Sequence, residues 1–206
     1  MIKKYVSTLT VLFFLCNISI AQKLYIWCPE ETVVKPRIGF LEKEEVNLVL
    51  FDARTIPAKS KVECEASAIT QSIISTIRQA YPSTTFAVQP ESEYYKPSKS
   101  NALTIKIGIA SYHAGFGTDV TVGIGSVGGN FTYNLIPKGE WNGLVSYYVQ
   151  VFDNRGDLSN KFSREISEIT SKSNMLGYKT ARTCLNTSYN KANQTLLSFI
   201  EQSLMR

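Results

Sequence analysis

Two stretches of the chain end an apolar run with an acidic and a basic residue two positions apart: Phe51-Asp52-Ala53-Arg54 and Phe152-Asp153-Asn154-Arg155. On a strand, residues two apart share one side, so each Asp can lie beside its Arg. Two such carboxylates at one sheet edge could act as acid and base on a carbohydrate-like substrate, provided they converge to within about 10 Å. Taken separately, each pair closes a strand and caps a turn. The local reading is favoured, because neither a nucleophile nor a histidine stands near the carboxylates in the sequence. His113, the one histidine, falls in an apolar strand and reads as structural.

Gly123-Ile124-Gly125-Ser126-Val127-Gly128 satisfies the Gly-x-Gly-x-x-Gly pattern that lets a backbone approach a pyrophosphate. That chemistry needs a helix N-terminus immediately afterwards. Here Asn130 to Leu135 alternates like a strand, so the glycines are expected to serve a hairpin or a bulge. No nucleotide, metal or other cofactor is expected. Cys-x-x-Cys is missing, and a single histidine makes a poor ligand set.

Tyr94, Tyr95, Phe116 and Trp141 are candidates for an aromatic binding surface, with Trp141 in its Pro- and Gly-rich loop the first to test. Asn130, Asn186 and Asn193 head glycosylation sequons, but two of the three fall on a predicted helix, so chance composition is the better account.

The start of the chain is an address. Met1-Ile2-Lys3-Lys4 is cationic, 5–20 are mostly apolar, and Ser19-Ile20-Ala21 puts small residues where a signal peptidase reads, so cleavage is expected after Ala21. The apolar part falls short of the roughly 20 residues a bilayer crossing requires, and no second apolar span follows. Cys16 follows Leu15 rather than a small residue, which does not fit a lipid-anchoring motif, and is expected to leave with the leader. An exported chain permits a disulfide. Of Cys28, Cys64 and Cys184, the pair Cys28–Cys64 is preferred, with Cys64–Cys184 as the alternative.

The net charge of +5 falls to +3 once Lys3 and Lys4 are gone, and the remaining basic residues are scattered among acidic ones. Nucleic-acid binding calls for a clustered basic stripe, so that class is set aside.

Behind an N-terminal arm (22–46) that could add a short strand, residues 47–206 read as a single domain. Asn47 to Asp52 is a buried strand, Ile69, Ile73, Ile77 and Ala80 mark one face of a helix that starts near Ser67 and stops at Pro82, and Thr84 to Val88 is a second strand. Strand–helix–strand in this order predicts two parallel strands. From Leu103 the period becomes two, with Ile105, Ile107 and Ile109 inward and Thr104, Lys106 and Gly108 on a wet face. Further alternating runs follow at 120–124, 131–135, 145–151 and 162–169. Residues 178–204 form a long helix whose stripe of Tyr178, Ala181, Leu185, Ala192, Leu196 and Phe199 packs on the sheet. The expected fold is α+β: a two-layer sandwich of a mixed, mostly antiparallel sheet with two helices on one face.

That order of elements, with Leu50-Phe51-Asp52-Ala53-Arg54 ending the first strand, resembles small periplasmic envelope domains: the YajG-like family, the auxiliary lipoproteins of ABC transport systems, and the N-terminal regions of curli-secretion and TolB-type proteins. The Ile-Ala-Gln that closes the leader is similar to exported proteins of Bacteroidota. The resemblance implies an exported, non-catalytic domain, in the periplasm or secreted, that binds an envelope protein or other envelope component. The alternatives are a hydrolase using Asp52 and Asp153, and a small-ligand binder with a cavity lined by Ile105, Val122 and Val149.

Overall fold

The computed structural model describes residues 23–31, 33–42, 44–98, 101–117, 139–154 and 160–205. The leader, the glycine motif at 123–128, the predicted strands 120–124 and 131–135, and Arg155 lie outside these residues. Seven strands and two helices follow in the order β1 (Leu24–Ile26), β2 (Glu45–Asp52), β3 (Lys61–Val62), α1 (Ala66–Ala80), β4 (Thr85–Gln89), β5 (Leu103–Phe116), β6 (Glu140–Asp153), β7 (Asn160–Ser173) and α2 (Tyr178–Leu204). This is the α+β sandwich with a long C-terminal helix.

The sheet is organised around β5. One edge of β5 pairs with β6 in antiparallel fashion from Thr104 to Phe116, and β7 continues antiparallel beyond β6. The other edge is shared: β2 runs parallel to residues 103–109, and β1 pairs antiparallel with Ala114 and Gly115. β4 flanks β2 and β3 flanks β1, both in parallel. The strand–helix–strand expectation for β2, α1 and β4 is met in its parallel direction.

Alternation sorts the side chains of β2 into two layers. Val46, Leu48 and Leu50 enter the main core under the helices, while Val49 joins a small cluster with Tyr94, Phe51, Ala53 and Tyr148 on the opposite face. In β5, Leu103, Ile105, Ile107 and Ile109 face the core, but so do Tyr112 and Ala114. The parity changes because Ala110 is an extra residue: Ile109 lies opposite Tyr147 and Ser111 opposite Ser146. This β-bulge sits where β5 exchanges β2 for β1 as its neighbour.

The core face of α1 is Ile69, Ile73, Ile77 and Ala80, as its spacing predicts. The helix begins one residue before Ser67, and Glu65 holds the cap position without a side-chain hydrogen bond; Ser67 instead donates to the Glu65 carboxylate. Tyr81 ends the helix, and its hydroxyl reaches Leu197 O and Glu201 on α2, each at 3.3 Å. Tyr189 of α2 donates to Ser72 of α1 at 2.8 Å. On α2, Ala181, Leu185, Ala192, Leu196 and Phe199 are buried, whereas Tyr178 is 55% exposed at the first turn. Asn186 and Asn193, the sequon residues of α2, are buried, and Asn193 accepts from Tyr147 at 3.2 Å.

The N-terminal arm is fastened at both ends. Cys28 is joined to Cys64, and Arg37 forms an ion pair with Glu201 at 2.8 Å while its amide donates to Ala80 O at 2.7 Å. Cys184 is a free, buried thiol, pushed up in pKa by that burial.

Candidate functional site

An open concave feature lies on the sheet face away from the helices, where the segment after β4 turns back over β2 and β5. Pro90 follows β4, a single 3-10 turn covers Glu91–Glu93, and the chain then crosses β5. Lys106 holds it there. Its side chain lies on the face assigned from the sequence to solvent, yet the residue is 2% exposed. Its ammonium donates to Glu93 O at 2.8 Å, Tyr94 O at 3.1 Å and Lys96 O at 2.5 Å. Three carbonyls match the three protons of an ammonium. Burial lowers the pKa of Lys106, and the Glu93 charge partly opposes that. The expected wet face of β5 is thus covered, with Thr104 buried as well.

Beside this latch is an open groove of about 490 Å³, lined by Asn47, Val49, Gln89, Glu93, Lys96, Pro97, Ser98, Thr104 and Lys106. Its polar groups are organised in pairs. Gln89 donates to Asn47 Oδ1 at 3.1 Å, Ser98 donates to Thr104 Oγ1 at 3.0 Å, and Lys96 pairs with Glu93 at 2.7 Å. Of these, Lys96 and Glu93 are the most open to solvent, with side chains 58% and 41% exposed. Such a lining suits hydrogen bonding to a polar or charged partner over an apolar floor at Val49.

Asp52 and Arg54 form the local pair that their spacing predicts. Nε of Arg54 donates to Asp52 Oδ1 at 2.8 Å and Nη2 to Oδ2 at 2.7 Å, in a fork geometry that is nearly buried. Among the described residues, Nη1 of Arg54 has no hydrogen-bond partner, and neither has His113 Nε2. Burial, helped by the Arg54 charge, pulls the His113 imidazole down to about 4, so it is neutral at pH 7.

The second carboxylate is elsewhere. Asp52 lies level with Ile109 of β5, whereas Asp153 lies beyond the Thr104–Phe152 pair at the other end of that strand. At about 3.3 Å per residue, more than five residues along the strand is a separation of nearly 20 Å, well beyond any two-carboxylate mechanism. The hydrolase expectation fails on this geometry, because β2 and β6 run in opposite directions and end at opposite ends of the sheet. The expected cavity between sheet and helices is also missing where it can be judged. Ile105 and Val149 are fully buried in the core, and Val122 lies outside the described residues.

The aromatic candidates separate into two clusters. Tyr94 and Tyr95 meet edge to face at 5.1 Å, and both contact Phe51. Tyr94 is buried and Tyr95 is 57% exposed. Phe116 and Trp141 meet at 5.2 Å at the far end of β5, where Trp141 also touches Tyr25 and Tyr178. Trp141, expected as a surface anchor, is 6% exposed, and its indole donates to Asn174 at 3.1 Å. It is the second residue of β6 rather than part of a loop, and its ring falls on the core face. The groove residues Asn47, Gln89, Lys96 and Ser98 were not singled out from the sequence. The one available signal was Lys106, a lone charge among Leu103, Ile105 and Ile107.

The fold and groove define a two-layer α+β domain with a concave, polar, solvent-open groove on the sheet face away from the helices. No family model matches the chain, and no curated protein does. Among solved structures it is similar to the hypothetical protein CT253 from Chlamydia trachomatis, with a TM-score of 0.50 and 12% identity over 78% of this chain and 96% of that one. Lipoprotein GNA1162 from Neisseria meningitidis matches with a TM-score of 0.35 and 8% identity, covering 79% of this chain and 98% of its own. Rare lipoprotein B from Shewanella oneidensis matches with a TM-score of 0.35 and 11% identity, covering 78% and 99%. The likeness to CT253 is one of fold alone, and the two lipoproteins are too distant to add to it. Among the described residues no helix is long and apolar enough to cross a membrane.

Proposed function

We propose that the protein is an exported binding domain of the cell envelope, non-catalytic, whose partner docks in the groove beside Lys106. The observation that carries this reading is the groove itself. It is open, it presents an amide pair, a hydroxyl pair and an ion pair to one space, and it lies on the face opposite the helices. The leader-like start and the bond between Cys28 and Cys64 support export, since such bonds persist in oxidising compartments. The deciding experiment is cross-linking in the intact envelope, comparing the native protein with K96E and with N47A/Q89A. The same envelope protein captured by the native chain and lost with both variants supports the reading. Equal capture by all three, or turnover of a glycoside by the purified protein, overturns it.

A further inference from the structure

β7 is an open edge of the sheet: among the described residues it pairs with β6 alone. It is long, from Asn160 to Ser173, contains no Pro or Gly, and keeps one uninterrupted register with β6 along its whole length. Edge strands usually avoid association through shortness, bulges, prolines or charge. β7 has only charge: Lys161, Arg164, Glu165, Glu168 and Lys172.

These charges do not forbid pairing; of the registers that pair nearly the whole strand, they favour one. In an antiparallel pair of identical strands related by a two-fold axis, the axis passes through a residue facing its own copy, and residues equally spaced on either side face each other. An axis at Arg164, Glu165 or Glu168 sets like charges face to face, which is destabilising. An axis at Ser167 sets Ile166 against Glu168. An axis at Ile166 sets Arg164 opposite Glu168 of the copy and Glu168 opposite its Arg164, with Ile166 against Ile166 between them. In the same register Glu165 faces Ser167, Lys161 faces Ser171 and Asn160 faces Lys172, so no like charges meet. Arg164 and Glu168 share the helix-bearing side of β7 with Ile166, and Arg164 is exposed and forms no ion pair among the described residues. Thr195 of α2 already steadies the Glu168 carboxylate with a hydrogen bond of 3.1 Å.

We propose that β7 is a homodimerisation edge, pairing antiparallel with β7 of a second copy about an axis at Ile166. The two sheets become one continuous sheet, with an α2 helix on the same side in each half. This assignment is independent of the groove, which lies toward the opposite edge.

The test is sedimentation equilibrium of the purified exported protein, native and with R164E, E168R and the combined R164E/E168R. A monomer–dimer equilibrium is expected, with the dissociation constant raised at least about tenfold by either single reversal, since each turns two attractive pairs into two repulsive ones. The combined reversal restores complementarity, so its constant is expected to return to within a few-fold of the native one. A chain that stays monomeric at close to millimolar concentration overturns the proposal, as does a dimer indifferent to the single reversals. A second measurement does not touch the ion pairs. E165C and S167C variants mixed under mild oxidation are expected to cross-link to each other far more than either does to itself, because residue 165 faces 167 of the copy while identical residues lie diagonally. Equal cross-linking in the mixture and in the separate samples overturns the register.

Discussion

Gly143 lies directly against the backbone of Cys184. A Cβ on Gly143 would stand 2.3 Å from the Cys184 carbonyl carbon and 2.3 Å from the Leu185 nitrogen. The approach is used on both sides: Ser188 donates to Gly143 O at 2.8 Å, and the Cys184 thiol lies 3.5 Å from Trp141 O. α2 is therefore seated on β6 by main-chain proximity, with no room for a methyl group. Gly143→Ala is expected to destabilise the fold by about 3 kcal/mol or more, at the upper end for overpacking, because the obstacle is backbone rather than a movable side chain. Urea unfolding checks this; a loss under 1 kcal/mol would mean that the helix shifts freely.

Reduction of the Cys28–Cys64 bond, or its replacement by C28S/C64S, is expected to lower stability by about 3–4 kcal/mol, the loop-closure effect for cysteines 36 residues apart. Thiol titration of the native, non-reduced chain from Gln22 onward should find no accessible sulfhydryl, and one after denaturation. An immediately reactive thiol would contradict the buried position of Cys184.

His113 makes stability depend on pH in a defined window. Its folded pKa of about 4 lies below the ordinary value of 6.5, so the unfolded chain binds the proton first. Stability is then complete above pH 6.5 and falls as the pH drops from there toward 4, by about 3 kcal/mol over the full range. His113→Gln should flatten the profile between pH 7 and 5. NMR can follow the single imidazole directly, and protonation near pH 6.5 in the folded state would refute the buried neutral form.

Lys106→Met keeps the length of the side chain and removes its three donors. Three carbonyls then lose their partner, and a cost of about 1–3 kcal/mol is expected. The change should be local. Amide exchange at Tyr94 and Lys96, whose N–H groups donate to Glu91 O and Glu93 O, should accelerate while that of β6 is unchanged. Unaltered exchange at Tyr94 would show that the segment holds itself without Lys106.

The periodic elements were legible in the sequence. The Ile69, Ile73 and Ile77 stripe, the apolar run of β2 and the alternation of β6 each follow from the geometry of one element. What could not be read depends on contacts between distant segments. Lys106 looks solvent-facing by alternation, and only the return of residues 93–96 over β5 makes it a buried latch. The bulge at Ala110 inverts parity, so Tyr112 reaches the core although Ile109 is already there. Asp52 and Asp153 carry the same local motif, but strand direction puts them at opposite ends of the sheet. Trp141 sits in a Gly-rich neighbourhood and is drawn inward by ring contacts with Tyr25, from the start of the chain, and Tyr178. Periodicity carries no information about any of these.

The shared edge of β5 has a consequence for the order in which the chain can be completed. If it leaves the cell interior N-terminus first, Leu24–Ile26 is the first strand to emerge, but its antiparallel partners Ala114 and Gly115 come far behind it. Only β3 arrives early, bringing Cys64 with it, and the covalent tie to Cys28 can close while most of the sheet is still on the other side. The tie then serves as a placeholder in time, keeping the first strand beside its parallel neighbour until the far end of β5 comes out to receive it.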